Sequence, residues 1–276
     1  MEENRNIQIM GIVNLTDDSF FASSRCVNVE SALERVRTLL DEGADIIDLG
    51  ACSTRPGSVQ VGEEEEWRRL APVLTALKRE FPDIRISIDT YWSSVVKKAY
   101  DLIGPFIVND ISAGEADPMM LQTVGSLGLT YVAMHMRGTP ENMQSQAIYD
   151  DVTQEVASYF RKFAKKAEVC GVKEWILDPG FGFSKTLEQN YELLRNMSCL
   201  KAIQDGKGSQ VRILVGVSRK SMVYKLLGIS PEESLPATQV VHMAALQSGA
   251  DILRVHDVAE AKRTIALFKA LQGHFK

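Results

Sequence analysis

Short apolar runs punctuate the chain, and each closes on a polar residue. Ile9–Val13 ends in Asn14, Ile46 and Ile47 in Asp48, Ile86–Ile88 in Asp89, and Phe106–Val108 in Asn109 and Asp110. Tyr131–Met134 ends in His135, Trp175–Leu177 in Asp178, Leu214–Val217 in Ser218, and Ile252–Leu253 in Arg254 and His256. Runs this short and this apolar predict parallel strands covered on both faces. Each is followed by a stretch with helical spacing, such as Val29–Leu40, stopped by Gly43, and Val152–Val169. Eight strand–helix units about 30 residues apart predict an α/β fold, a (β/α)8 TIM barrel. A doubly wound sheet would show five or six strands and a glycine-rich phosphate loop after the first, and no such loop follows Val13. In a barrel the C-terminal strand ends form the active face, so these polar residues are expected at one mouth.

The stretch Trp175–Lys185 delivers Asp178 from a strand into Pro179-Gly180-Phe181-Gly182-Phe183. Proline ends a ladder, and glycine lets backbone approach a ligand where a side chain would collide. Asp89, Asn109 and Asp178 at one mouth suit a flat heterocycle bearing several N–H donors. Met134 is either an apolar floor for such a ring or ordinary core. Ser218 is a candidate N-cap, and Arg219 and Lys220 in the following first turn would oppose the helix dipole unless an anion offsets them. Period-two alternation points Arg254 and His256 to one side, and with Lys220 and Arg55 they make a cationic set fit for a diphosphate. Ser53-Thr54-Arg55-Pro56-Gly57 adds hydroxyls, a guanidinium and a turn. Phe20 and Phe21, in the loop after the first apolar run, either cover a ligand or tuck beneath the loop. Glu63–Glu66 fit the first turn of a helix and receive no functional role.

At 276 residues and 45% hydrophobic content the chain suits one barrel of roughly 250 residues, read as a single domain over 1–276. A net charge of -5 without a Lys/Arg run argues against nucleic acid and anionic membranes as partners. No apolar stretch approaches a membrane span and the N-terminus is not signal-like, so a cytoplasmic location is expected. Cys26, Cys52, Cys170 and Cys199 are scattered and suggest neither zinc nor a disulfide framework.

The set Met10–Asn14, Asp48-Leu-Gly50, Ser53–Gly57, Ile88–Thr90, Asn109–Ser112, Asp178–Phe183, Gly216–Ser221 and Arg254–Asp257 resembles the dihydropteroate synthase family, in order and over essentially the whole chain. The resemblance implies condensation of 6-hydroxymethyl-7,8-dihydropterin diphosphate with 4-aminobenzoate to 7,8-dihydropteroate and pyrophosphate, in folate synthesis. It implies Asn14 as the Mg2+ ligand and Asp89, Asn109, Asp178 and Lys220 around the pterin, with Gly216 lining that end. Thr54, Arg254 and His256 would hold the diphosphate. Phe20, Arg55, Pro56, Phe183, Ser218 and Ser221 would form the aminobenzoate pocket. A homodimer and sensitivity to sulfonamides are also implied, and the apolar positions Val240, Val241, Ala244 and Ala245 fit either a dimer face or packing on the barrel. The chain departs from the family's usual pattern at Asp17, Ala22–Ser24 and Cys52. Two other readings are a pterin-binding barrel that transfers a methyl group from a reduced folate to a corrinoid protein, and a non-catalytic pterin-binding homologue. The first has no need of Ser53–Gly57 or Ser218–Lys220.

Overall fold

The computed structural model describes residues 5–15, 28–52 and 61–274. Phe20, Thr54, Arg55 and Pro56, with Asp17 and Ala22–Ser24, lie outside the described residues.

Eight parallel strands close into a barrel in sequence order, β8 pairing back onto β1. They are β1 (Gln8–Asn14), β2 (Ile46–Gly50), β3 (Ile86–Asp89), β4 (Ile107–Asp110), β5 (Thr130–Met134), β6 (Trp175–Asp178), β7 (Arg212–Val215) and β8 (Ile252–Val255). The helices α1 (Val29–Glu42), α2 (Glu63–Glu80), α3 (Ser93–Ile103), α4 (Met120–Leu127), α5 (Val152–Val169) and α6 (Leu187–Asn196) each follow a strand, and α9 (Val258–Leu271) follows β8. Two helices, α7 (Ser221–Leu227) and α8 (Leu235–Gln247), fill the connection from β7 to β8. The expected (β/α)8 architecture is present.

Sequence patterning explains how each helix docks. In α1, Ala32, Leu33, Val36 and Leu39 form the buried stripe, the Asn28 side chain and Ser31 form a capping box, and Gly43 stops the helix at φ 101°. Burying a leucine or valine of such a stripe contributes about 1.5–3 kcal/mol, so packing rather than local propensity holds the outer ring. On α8 the two alternatives for the apolar face divide: Val241 and Ala245 pack inward, while Val240 is 70% exposed.

Register positions the mouth. A buried layer inside the barrel consists of Met10, Ile46, Ile107, Val132, Ile176, Leu214 and Ile252. Successive strand residues alternate faces, so the next inward residues are Ile12, Asp48, Asn109, Met134, Asp178, Gly216 and Arg254. One step therefore changes the barrel interior from wholly aliphatic to largely polar. Above it, Asn14 pairs in register with Gly50, Gly50 with Asp89, and Asp89 with Asn109, a row running across β1 to β4.

The turn after β7 differs from the sequence expectation. Helix α7 begins at Ser221, its N-cap position is Lys220, and Arg219 occupies left-handed backbone at φ 52°. Ser218 is not the cap, because its hydroxyl accepts a hydrogen bond from His256 N instead, at 3.2 Å. Nor do Arg219 and Lys220 sit in the first helical turn, so the dipole argument for an anion there does not hold.

Candidate active site at the barrel mouth

Arg254 is the hub. Its Nε donates to Asp48 Oδ2 at 2.7 Å and its Nη2 to Asp89 Oδ2 at 2.9 Å. Asp48 is fully buried in the middle of β2, and an ionised carboxylate there requires a cation beside it. Asn109 turns its amide NH2 toward the same carboxylate, at 3.3 Å from Oδ2. Burial pushes the Asp89 carboxyl upward, as do the Asp48, Asp110 and Asp178 charges, against the pull of Arg254. The same carboxylates hold the Arg254 guanidinium well above its ordinary range.

Asp178 and Lys220 form the opposite wall. Asp178 Oδ1 accepts from Gly180 N at 2.8 Å, which fixes the carboxylate as the chain leaves β6. Burial raises its pKa, opposed first by the Lys220 charge. Lys220 Nζ donates to Phe181 O at 2.6 Å and lies 4.6 Å from the centroid of the Phe183 ring. Burial pulls this ammonium down to about 8, with Asp178 opposing. Gly216 leaves the space between the cations open: a Cβ there would stand 3.9 Å from Arg254 Cβ and 4.0 Å from Lys220 Nζ. Tyr91, Ile111, Met134, Met136 and Met143 form a small buried apolar cluster against which Phe183 packs, so Met134 belongs to the mouth and not to the main core. Three acids, two cations, an amide and an apolar floor can bind a flat ring that presents more donors than acceptors.

The structure thus brings together Asn14, Asp89, Asn109, Asp178, Gly216, Lys220 and Arg254, with Phe183 beside them. Ser218 and His256 are joined to one another by the bond already described, and Ser221 opens α7. His256 does not join the cationic set: burial and the Arg254, Arg35, Arg219 and Lys220 charges pull its pKa down to about 3, so it is neutral. Arg254 contributes its charge chiefly to Asp48 and Asp89. Arg219 is structural, its guanidinium held by both oxygens of Asp257 at 2.8 and 3.0 Å and by Pro231 O and Glu232 O.

Asn14 Oδ1 and Asp89 Oδ2 lie 3.7 and 3.8 Å from where a Gly50 Cβ would sit. Hard oxygen donors beside a gap that lacks a side chain fit Mg2+, which takes one or two protein oxygens and completes its shell with water and phosphate. Among the described residues no cluster of three His, Cys, Asp or Glu stands ready to hold a metal unaided.

Some buried carboxylates escaped the sequence reading. Asp48 was visible as a strand end but received no role. Glu66 is completely buried, and burial pushes its carboxyl to about 8, with Thr90 opposing. The signal was its place on the buried stripe Glu66, Leu70, Val73, Leu74 and Leu77 of α2.

Residues 10–256 match the family of pterin binding enzymes. The chain is 38% identical to dihydropteroate synthase of Haemophilus influenzae over 95% of its own length and 93% of that protein. It is 40% identical to the mitochondrial folate synthesis bifunctional protein of Arabidopsis thaliana over 91% of its length, spanning 47% of that longer protein. Its fold matches a crystal structure of Yersinia pestis dihydropteroate synthase in complex with a sulfonamide drug, with a TM-score of 0.90 and 36% identity over 98% of this chain and 95% of that one.

Proposed function

Because the chain belongs to the pterin-binding enzymes, among the dihydropteroate synthases, we propose that it condenses 6-hydroxymethyl-7,8-dihydropterin diphosphate with 4-aminobenzoate, releasing 7,8-dihydropteroate and pyrophosphate in folate synthesis. The observation that carries this reading is the polar ring set two residues along each strand from the aliphatic layer: Asp48, Asn109, Asp178 and Arg254, with Asp89 and Lys220. Asp178 accepts from the guanidine-like edge of the pterin in a charge-assisted pair. Asp89 and Asn109 take further ring donors, and Lys220 and Phe183 flank the ring. The same reading assigns Arg254 and His256 to the diphosphate and Phe183, Ser218 and Ser221 to aminobenzoate, together with Thr54 for the former and Phe20, Arg55 and Pro56 for the latter, which lie outside the described residues.

With the pterin so held, the bond from its exocyclic carbon to the diphosphate oxygen breaks. The electron pair leaves with pyrophosphate, and the positive charge spreads into the ring. The aniline nitrogen attacks that carbon and then loses a proton, which needs no dedicated strong base because an arylammonium is acidic. Mg2+ held at Asn14 would supply charge neutralisation for the departing diphosphate.

The same reading includes a homodimer and a cytoplasmic location. Supporting the dimer are Leu226, Leu227 and Val240, more than half exposed on α7 and α8. Among the described residues no helix is long and apolar enough to cross a membrane.

The test is pyrophosphate release from the pterin diphosphate with Mg2+, with and without 4-aminobenzoate, followed by product identification. Aminobenzoate-dependent release of dihydropteroate is expected. Tight pterin binding without turnover would instead favour the non-catalytic homologue.

A further inference from the structure

Lys185 and His135 are charged or polar residues buried beside the mouth that the proposed chemistry does not use. Lys185 is 3% exposed and His135 2% exposed. An ammonium has three N–H donors and no acceptor, and three acceptors surround Lys185 Nζ at 3.0 Å: His135 Nδ1, Gly180 O and Phe183 O. Burial pulls Lys185 down to about 7, with the Asp178 charge opposing, and in its ammonium form it donates to Nδ1, which goes with the His135 tautomer protonated on Nε2. An edge-on contact with Tyr159, ring centroids 4.9 Å apart, seats the imidazole.

What this cation grips is the turn that builds the pterin wall. Gly180, Gly182 and Ser184 all have positive φ, at 70°, 83° and 45°, so the turn requires something that holds it in shape. A Cβ at Gly180 would stand 2.0 Å from His135 O, which shows how tightly the turn lies on the end of β5. Ser184 adds a second tie, accepting from Arg137 N at 2.8 Å. The outward-facing atoms of this turn are Asp178's clamp at Gly180 N, Lys220's acceptor at Phe181 O, and the Phe183 ring.

We propose that Lys185 is a positioning residue for the pterin wall: its buried ammonium, anchored on His135, fixes the Gly180–Phe183 turn and through it Asp178, Lys220 and Phe183. The inference rests on the functional reading above for its kinetic readout, and on none of it for its structural one. Carbonyl oxygens within one loop form the cage, in the manner of a bound cation, and the cation is supplied by the chain itself.

Three variants test this: Lys185→Met, His135→Leu, which removes the anchor, and His135→Asn, whose Oδ1 takes the place of Nδ1. Each is assayed well below its melting temperature, for steady-state kinetics and for hydrogen–deuterium exchange of the 180–184 amides. Lys185→Met and His135→Leu are expected to raise KM for the pterin diphosphate roughly ten- to hundredfold with a smaller change in kcat, and to speed exchange in the turn. His135→Asn is expected to restore both. Should Lys185→Met not fold, the His135 pair decides. Wild-type KM and wild-type exchange, with only a lowered melting temperature, would make Lys185 a structural cation and overturn the proposal. If the wild type itself does not turn over, the functional reading fails, and the exchange data still decide for or against Lys185.

Discussion

Arg254 and Asp48 stand 206 residues apart in the chain and are joined by a 2.7 Å hydrogen bond, the acid being fully buried. Removing the guanidinium strands two carboxylates, so Arg254→Met is expected to lose about 3–5 kcal/mol of stability, measured by urea unfolding at neutral pH, together with activity. A loss below about 1 kcal/mol would place this pair with solvent-exposed ones and contradict its role.

Asp178→Asn keeps an oxygen for Gly180 N and loses the negative charge. The turn should therefore remain folded, while pterin affinity drops roughly ten- to hundredfold in a fluorescence titration, the loss expected for one charged hydrogen bond. Wild-type affinity in this variant would remove Asp178 from the pterin edge.

Glu66 provides a pH test. Its folded pKa of about 8 lies above the ordinary 4.5, so the native state keeps a proton that the unfolded chain releases. Stability from this group is present below pH 4.5 and is lost as pH rises toward about 8. Glu66→Leu should flatten that slope, gaining on the wild type by on the order of 4 kcal/mol at the alkaline end and less toward acid. Parallel stability–pH curves for the two proteins would show that Glu66 does not titrate in this window.

The strand ends were legible because the barrel writes them twice, as an apolar run and as the polar residue that ends it. Asn14, Asp89, Asn109, Asp178 and Arg254 could be found this way with no knowledge of their partners. Which charge meets which was not legible, since Arg254 is drawn to acids on β2 and β3 by closure of the sheet, a relation between distant segments. His256 was grouped with the cations by strand alternation alone; burial, Arg254 from its own strand end, and Arg35, Arg219 and Lys220 from other elements pull its pKa down. Ser218 followed the local rule for an N-cap, but the chain reaches left-handed backbone at Arg219 before α7 begins, a turn stabilised by Asp257 and two carbonyls from the segment beyond. Glu66 was hidden in an acidic run, although helical spacing alone put it on the buried face.

An aryl sulfonamide resembles 4-aminobenzoate in its aniline and acidic group. Inhibition competitive with aminobenzoate is expected in the pyrophosphate-release assay. Turnover unaffected by a large excess of sulfonamide over aminobenzoate would show that the pocket is built differently.

The step from an aliphatic to a polar layer inside the barrel leaves the protein little room for change. Asp48 and Arg254 neutralise each other inside the sheet at the base of the mouth, so substitution at either one exposes a bare charge in the scaffold. Selection acting on ligand contacts at these strand ends would act on folding as well, and adaptive variation is directed to positions whose side chains answer to the ligand alone.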